Sequence, residues 1–171
     1  MQTRALPARR QLCLALLAGA LPRATRAQAN GAALTITLAD GTQRTLDLAE
    51  LQTLPTQAAV LKRRDGTPYT VTGVSVTVLL KLAGLDLSQN LGAAFVAGHA
   101  LVARAADGYR AVFGLTVADP HFGTPPLLVI WTGEDGQALP VNRGPLQLIH
   151  TAEARPVRWV RQLSAIDVKA L

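Results

Sequence analysis

Three histidines are the first side chains to consider for chemistry. His99, His121 and His150 are 22 and 29 residues apart, and neither a helix nor a strand brings such spacings together as metal ligands. The one local pairing of imidazole and carboxylate is Asp119-Pro120-His121. Two interpretations are open. These residues could form a metal site, or the histidines could simply be hydrogen bonded in loops or at strand edges. The spacing favours the second interpretation.

The serines and acidic residues do not form a pattern typical of hydrolases. A serine nucleophile needs a nearby histidine and acid, but after residue 29 the serines are only Ser75, Ser88 and Ser164. Ser75 is predicted to cap a helix and Ser164 to lie in a strand. Four of the acidic residues directly precede glycine, as is typical of tight turns: Asp40, Asp65, Asp107 and Asp135.

Basic residues are concentrated near the C-terminal end, where Trp159 is interleaved with them. They are Arg143, Arg155, Arg158 and Arg161. Alternation over Val157–Arg161 predicts a strand with guanidinium groups close to one another, an arrangement suited to an anionic ligand. A solvated strand face is the alternative interpretation of the same pattern.

Residues 1–29 have the pattern of a cleavable export signal. A basic start is followed by an apolar run at 12–21 and by Ala27-Gln28-Ala29, a small-x-small cleavage site. Because a helix needs roughly 20 apolar residues to cross a bilayer, a stable membrane span is not expected. Arg9-Arg10 loosely resembles a twin-arginine signal, but the general secretory route is favoured. These features predict a periplasmic location.

Splitting the chain at Ala29 changes what its composition indicates. Five of the 17 Lys and Arg residues and none of the 11 acidic ones lie before that point, so 12 basic and 11 acidic residues remain. This balance argues against a nucleic-acid partner. Cys13, the one cysteine, also lies in the leader, so no disulfide or thiolate metal site is expected after it. Residues 30–171 have the length of a single domain.

Short apolar segments separated by turn residues predict an α+β fold of mixed, mostly antiparallel sheets with two or three short helices. The clearest helix begins after Ser75 and ends at Gly84, and a shorter one follows Asp47. A further helical turn is expected near Val117–Asp119. Strands are predicted at 34–38, 43–46, 60–62, 69–72, 95–97, 101–105, 109–113, 127–131, 146–149, 157–160 and 163–168.

Five sequence blocks, in order, resemble the oxidoreductase molybdopterin-binding domain of the sulfite oxidase family, especially its small, exported, single-domain members. Each block is weak alone, but their order makes the resemblance moderately specific over about 34–168. The blocks are Thr72–Leu85, Ala106–Leu115, Leu127–Trp131 with Gly136–Pro140, Arg143–Leu146, and Val157–Val160.

The resemblance implies a sulfite-oxidase-like fold with a pocket that, in full-sized family members, holds molybdenum bound to a pterin. It implies that Tyr109 matches an active-site tyrosine and Arg158 a basic residue near the cofactor. If the pocket is inherited, Tyr109, Arg143 and Arg158 should converge on one concavity, with His150 as a fourth candidate. The implied cofactor is molybdopterin.

The sequence departs from the family pattern at three places, which argue against sulfite-oxidase-type catalysis but not against the fold. The stretch 58–64, which matches the region of the family's metal-ligating cysteine, contains no cysteine. Gln147 stands where the family has arginine, and Thr151 where it has proline. Without a soft ligand for molybdenum, the favoured hypothesis is a periplasmic module that binds a small anionic ligand or a protein partner. The alternatives are a molybdopterin-dependent oxidoreductase that holds its cofactor without a protein thiolate, and a structural subunit whose strands pair with another chain.

Overall fold

The computed structural model describes residues 33–123, 126–153 and 155–171. This part of the chain contains nine strands and three short α-helices, which confirms the predicted α+β fold. The strands are β1 (Ala33–Thr37), β2 (Gln43–Asp47), β3 (Gln57–Lys62), β4 (Pro68–Ser75), β5 (His99–Ala105), β6 (Arg110–Gly114), β7 (Leu127–Ile130), β8 (Gln147–His150) and β9 (Leu163–Ala170). The helices are α1 (Leu48–Gln52), α2 (Val76–Ala83) and α3 (Ala93–Ala97).

A five-stranded sheet joins the two ends of the described chain in the order β2-β1-β9-β5-β6. The predicted opening hairpin is confirmed, since β1 and β2 pair antiparallel around a turn in which the Thr42 amide donates to the Asp40 carboxylate over 2.8 Å. Strand β9 lies parallel to β1 and antiparallel to β5. The last strand therefore closes the sheet between two earlier ones.

A four-stranded antiparallel sheet has the order β3-β4-β7-β8. It depends on a close approach of β4 to β7 at Gly73, where a Cβ atom would lie 2.5 Å from the carbonyl oxygen of Val129. Because that neighbour is backbone, only glycine fits at this position without moving a strand.

The first two helices begin where their capping residues predict. Asp47 accepts a hydrogen bond from the Glu50 amide at 2.8 Å, and the Glu50 carboxylate accepts one from the Asp47 amide at 3.0 Å, which forms a capping box. Ser75 caps α2, and Gly84 ends it with a φ of 111°. The buried face of α2 packs into the main core, which is the larger of the molecule's two hydrophobic clusters.

The hydrophobic residues form two clusters, one on each face of the four-stranded sheet. The larger contains residues of both sheets and of α2, and includes Val129 and Leu148. The smaller contains Leu128 and Ile149 together with residues of β3 and β4. All four residues of β7 and all four of β8 are buried, so this part of the sheet separates the two clusters.

Two predicted strands are wrong. The 95–97 segment is part of α3, because a short apolar run fits a helix as well as a strand and Phe95 stacks on His99 four residues later. The 157–160 segment is a 3-10 turn over Pro156–Arg158 followed by one isolated bridge between Val160 and Leu148. Pro156 fixes the turn at its first position.

The helical turn expected near Val117–Asp119 is present but begins two residues earlier, and a second one follows it. One 3-10 turn covers Leu115–Val117, and Asp119 caps a second one over Pro120–Phe122. A proline fits the first position of a helical turn, which explains why the second turn begins at Pro120 rather than ending before it.

Candidate functional site

A concavity of about 1290 Å³ lies on the outer face of the four-stranded sheet, over the smaller hydrophobic cluster. Its floor contains the buried side chains Leu61, Val71, Ile130, Leu139 and Ile149. The remaining lining residues surround this floor: Val60, Lys62, Arg63, Arg64, Gly66, Tyr69, Gly133, Glu134, Arg143, Gln147, Thr151, Ala152, Glu153, Arg155, Pro156 and Trp159.

The rim of the concavity is basic. Five cationic side chains face two acidic ones, and both acids are already paired. Glu134 forms an ion pair with Arg63, and Glu153 forms one with Arg158. Among the described residues, no hydrogen bond or ion pair engages the remaining cationic groups, which makes them available to an anion: Lys62, Arg64, Arg143 and Arg155.

Tyr69 forms part of one wall. The guanidinium carbon of Arg63 lies 5.3 Å from the centroid of the Tyr69 ring, within the range of a cation–π contact. Burial raises the pKa of the Tyr69 hydroxyl, and the charge of Glu134 acts in the same direction while Arg143 and Arg63 oppose it. The Tyr69 hydroxyl is therefore a neutral hydrogen-bonding group at physiological pH.

Gln147 is the buried polar residue of the concavity. It is 2% exposed, and its side-chain oxygen Oε1 has no hydrogen-bond partner among the described residues. A buried, unpaired carbonyl oxygen costs free energy unless a donor reaches it. Gln147 is a lining residue of the concavity, but this oxygen has less than 1 Å² of accessible surface, so a donor group on a ligand reaches it only after the side chain rotates.

The four residues predicted from the sequence as pocket candidates do not converge. Arg143 lines the concavity, but Tyr109, Arg158 and His150 are not among its lining residues. On β8, Gln147 and Ile149 face the concavity, whereas His150 stacks on Phe113 of the main core at a centroid distance of 5.9 Å.

Tyr109 and Arg158 lie together in a second cluster beside Phe113. The Tyr109 hydroxyl donates to the carbonyl oxygen of Val157 over 2.5 Å. The Arg158 guanidinium lies 4.7 Å from the Phe113 ring centroid, and its Nε donates to Glu153 over 2.6 Å. Both side chains hold the 3-10 turn against β6, so in this structure their contacts are with the protein itself.

His150 is buried, and its Nδ1 has no hydrogen-bond partner among the described residues. Burial lowers the pKa of its imidazole, and the positive charge of Arg158 lowers it further, while Glu153 opposes the shift. The ring is therefore favoured in its neutral form. Its backbone oxygen accepts a hydrogen bond from the Trp159 indole, which fixes one wall of the concavity.

The other two histidines lie elsewhere. The His121 Nδ1 is 2.9 Å from the buried carboxylate of Asp119, and the His99 Nδ1 is 2.7 Å from the Phe95 carbonyl oxygen. No group of three or more His, Cys, Asp or Glu residues able to hold a metal occurs in the described chain.

The residues present do not fit the molybdenum centre implied by the resemblance. The stretch 58–64 runs along the concavity, with Val60–Arg64 in its lining, and it supplies aliphatic and cationic side chains but no thiolate. Lysine and arginine are cations and do not replace a soft anionic ligand. The described lining of the concavity therefore combines a basic rim with the absence of a thiolate.

Several lining residues are not predicted by the sequence patterns as ligand-facing. From the sequence, Lys62 is predicted as the end of a strand, Arg63 and Arg64 as part of the charged turn that follows it, and Tyr69 as an ordinary strand residue. Gln147 is noted there only as a departure from the family pattern. For the residues of 62–64 and for Tyr69, the useful signal is the pairing of β3 with β4. This pairing places Leu61 opposite Tyr69 and so brings the two segments side by side.

Comparison with known proteins supports the fold through one solved structure of low sequence identity. A solved structure, the sulfane dehydrogenase SoxCD from Paracoccus pantotrophus, is similar with a TM-score of 0.58 and 16% sequence identity. The similarity covers 80% of this chain and 38% of that one, so this chain spans well under half of the matched chain. No family model and no curated protein matches the sequence. This similarity is to a sulfite-oxidase-like fold, in line with the resemblance in the sequence, and it concerns the fold alone.

Within the residues that the structure describes, no helix has the length and apolar character needed to cross a membrane. The predicted export signal at 1–29 lies outside the described residues.

Proposed function

We propose that this protein is an exported, ligand-binding module built on a sulfite-oxidase-like fold, and that its site is the basic concavity over β3, β4, β7 and β8. One observation carries the proposal. The segment that matches the family's metal-ligating region lines a concavity with five cations and two acids, and it has no thiolate. Such a site suits the binding of an anion rather than sulfite-oxidase-type catalysis.

The arrangement of the charges supports binding. Four cationic side chains have no partner among the described residues, and Arg143 among them is partly buried. Charge-assisted hydrogen bonds from arginine to an oxyanion are stronger than neutral ones and gain from partial burial. A periplasmic location, in which the module acts as a sensor or as an accessory to a partner protein, is part of this proposal.

The test is metal and pterin analysis of protein purified from the exported fraction of its native host. The proposal expects no stoichiometric molybdenum, no released pterin and no absorption band of a bound cofactor. Stoichiometric molybdenum or pterin would instead establish the alternative, an oxidoreductase that retains its cofactor without a protein thiolate. Co-purification with a second chain would identify the partner.

A further inference from the structure

The floor of the concavity is more apolar than an inorganic anion requires. Five aliphatic side chains form it, and the half-buried rings of Tyr69 and Trp159 flank it. A small oxyanion held by the rim leaves these rings and the exposed side chain of Val60 in contact with water. A ligand with an apolar body covers the rings and Val60 and gains the free energy of removing their apolar surface from water.

The size of the concavity points the same way. Its volume of about 1290 Å³ exceeds the roughly 300–1,000 Å³ typical of pockets for drug-sized ligands. An inorganic oxyanion contacts only part of such a space. An organic molecule with a body of one or two rings reaches from the rim to the floor.

Gln147 adds a requirement for a hydrogen-bond donor at a fixed place on the ligand. The residue lines the concavity, and its Oε1, which accepts hydrogen bonds and does not donate them, is buried without a partner among the described residues. A rotation of the side chain brings this oxygen to a ligand in the concavity. An anionic oxygen placed against it is repelled, whereas an O–H or N–H group is bound. The anionic group and the donor group of the ligand must therefore occupy different places.

We propose that the concavity selects an organic anion with an apolar body and a separate O–H or N–H donor. In this arrangement Arg143 binds the anionic group, and Gln147 accepts from the donor after its side chain rotates into the concavity. The inference rests on the proposed function, because it names the class of ligand for the same site.

Isothermal titration calorimetry on the purified full chain tests the proposal. The probes are 2-naphthoate, its uncharged methyl ester, its hydroxylated isomers, and sodium sulfate. We expect 2-naphthoate to bind at least tenfold more tightly than either the ester or sulfate, and at least one hydroxynaphthoate to bind more tightly still. Equal or tighter binding of sulfate, or no naphthoate binding below millimolar concentration, would overturn the inference.

Variants assign the two contacts. Arg143→Gln should weaken naphthoate binding tenfold or more, the size expected for loss of a charge-assisted hydrogen bond. The control Arg110→Gln removes an exposed arginine outside the concavity and should change affinity less than twofold. Gln147→Met keeps an unbranched side chain and should abolish the preference for the hydroxylated probe while 2-naphthoate still binds. Equal losses in both arginine variants, or an unchanged preference in Gln147→Met, would contradict the assigned roles.

Failure of this inference is distinct from failure of the proposed function. Protein free of molybdenum and pterin that binds sulfate but no naphthoate keeps the proposed function and rejects the organic ligand. Protein that contains stoichiometric cofactor before any probe is added rejects the proposed function itself.

Discussion

The guanidinium of Arg158 lies over the ring of Phe113, with 4.7 Å between its central carbon and the ring centroid. The same group forms an ion pair with Glu153. Phe113 is 1% exposed, so the contact joins the 3-10 turn over Pro156–Arg158 to the main core. Arg158, which the sequence resemblance places near a cofactor, is held in this structure by protein groups on several sides.

Arg158→Gln should therefore lower stability more than it lowers ligand affinity. A cation–π contact and a partly exposed ion pair together contribute about 1 to 2 kcal/mol, and urea denaturation should show a loss of this size. Naphthoate affinity should fall less than in Arg143→Gln, because Arg158 does not line the concavity and its loss acts only by leaving Glu153 unpaired on the rim. Arg161→Gln is the matched control, because Arg161 is exposed and makes no ion pair to any described residue. A large loss of affinity with unchanged stability would place Arg158 in the binding site instead.

Gln147→Met should raise the free energy of unfolding of the ligand-free protein by about 1 kcal/mol. The substitution removes a buried carbonyl oxygen that has no partner among the described residues and keeps the volume of the side chain. The midpoint of urea denaturation measures the change. A clear loss of stability would show that the amide has a stabilising partner in the native protein.

Stability should fall as the pH decreases from about 7.5 to 5.5, in part because of His150. Burial lowers the pKa of this histidine in the folded state, so the unfolded chain, with an ordinary histidine pKa of about 6.5, takes up the proton first. The stabilisation is complete above the unfolded pKa and is lost as the pH falls below it. One such proton contributes at most about 1.4 kcal/mol per pH unit.

Urea denaturation across this pH range, compared with His150→Phe, isolates that contribution. The variant retains an aromatic ring beside Phe113 and cannot titrate, so it should have a shallower dependence on pH. Parallel pH profiles for the two proteins would show that His150 does not titrate differently in the folded and unfolded states.

Gly73→Ala should destabilise the protein by about 1 to 3 kcal/mol, the typical cost of overpacking. The added methyl group would lie 2.5 Å from the Val129 carbonyl oxygen and 2.7 Å from a methyl group of Ile130. The control is Gly114→Ala, whose Cβ would lie 3.2 Å from the rotatable hydroxyl of Thr116, and it should change stability by less than about 0.5 kcal/mol. Similar denaturation midpoints for the two variants would contradict the close approach of β4 and β7.

The processed protein should begin at Asn30. Intact mass measurement of protein from the periplasmic fraction checks this, and Ala29→Leu, which replaces the small residue at the predicted cleavage site, should prevent processing. The matched control Ala33→Leu lies beyond the site and should be processed normally. Protein recovered from the cytoplasm at full length would contradict export.

Local signals explain why most of the fold is predictable. Asp47 and Glu50 specify the start of α1, and Ser75 and Gly84 specify both ends of α2, because capping depends on residues within one or two turns. The strand predicted at 157–160 is wrong because residues outside the local pattern decide its structure. Its alternating residues are typical of a strand, but Pro156 and the contact of Arg158 with the distant Phe113 fix a turn.

The concavity is much less predictable, because it depends on strands far apart in the sequence. Lys62 and Arg143 share a rim only after β3 and β8 take the two ends of one sheet. Nothing within a short window distinguishes Arg143, which lines the concavity, from Arg161, which does not. The separation of His150 from Gln147 depends only on the alternation of β8, and the register of that strand fixes which residue faces which side.

That alternation also bears on how this protein can diverge. Along β8, Gln147 and Ile149 face the concavity, while Leu148 belongs to the main core and His150 stacks on a residue of it. Substitutions at the odd-numbered positions alter the binding surface without removing a side chain from the main core. Ligand preference can thus change in evolution or by engineering through every second residue of one strand, while the intervening residues preserve the fold.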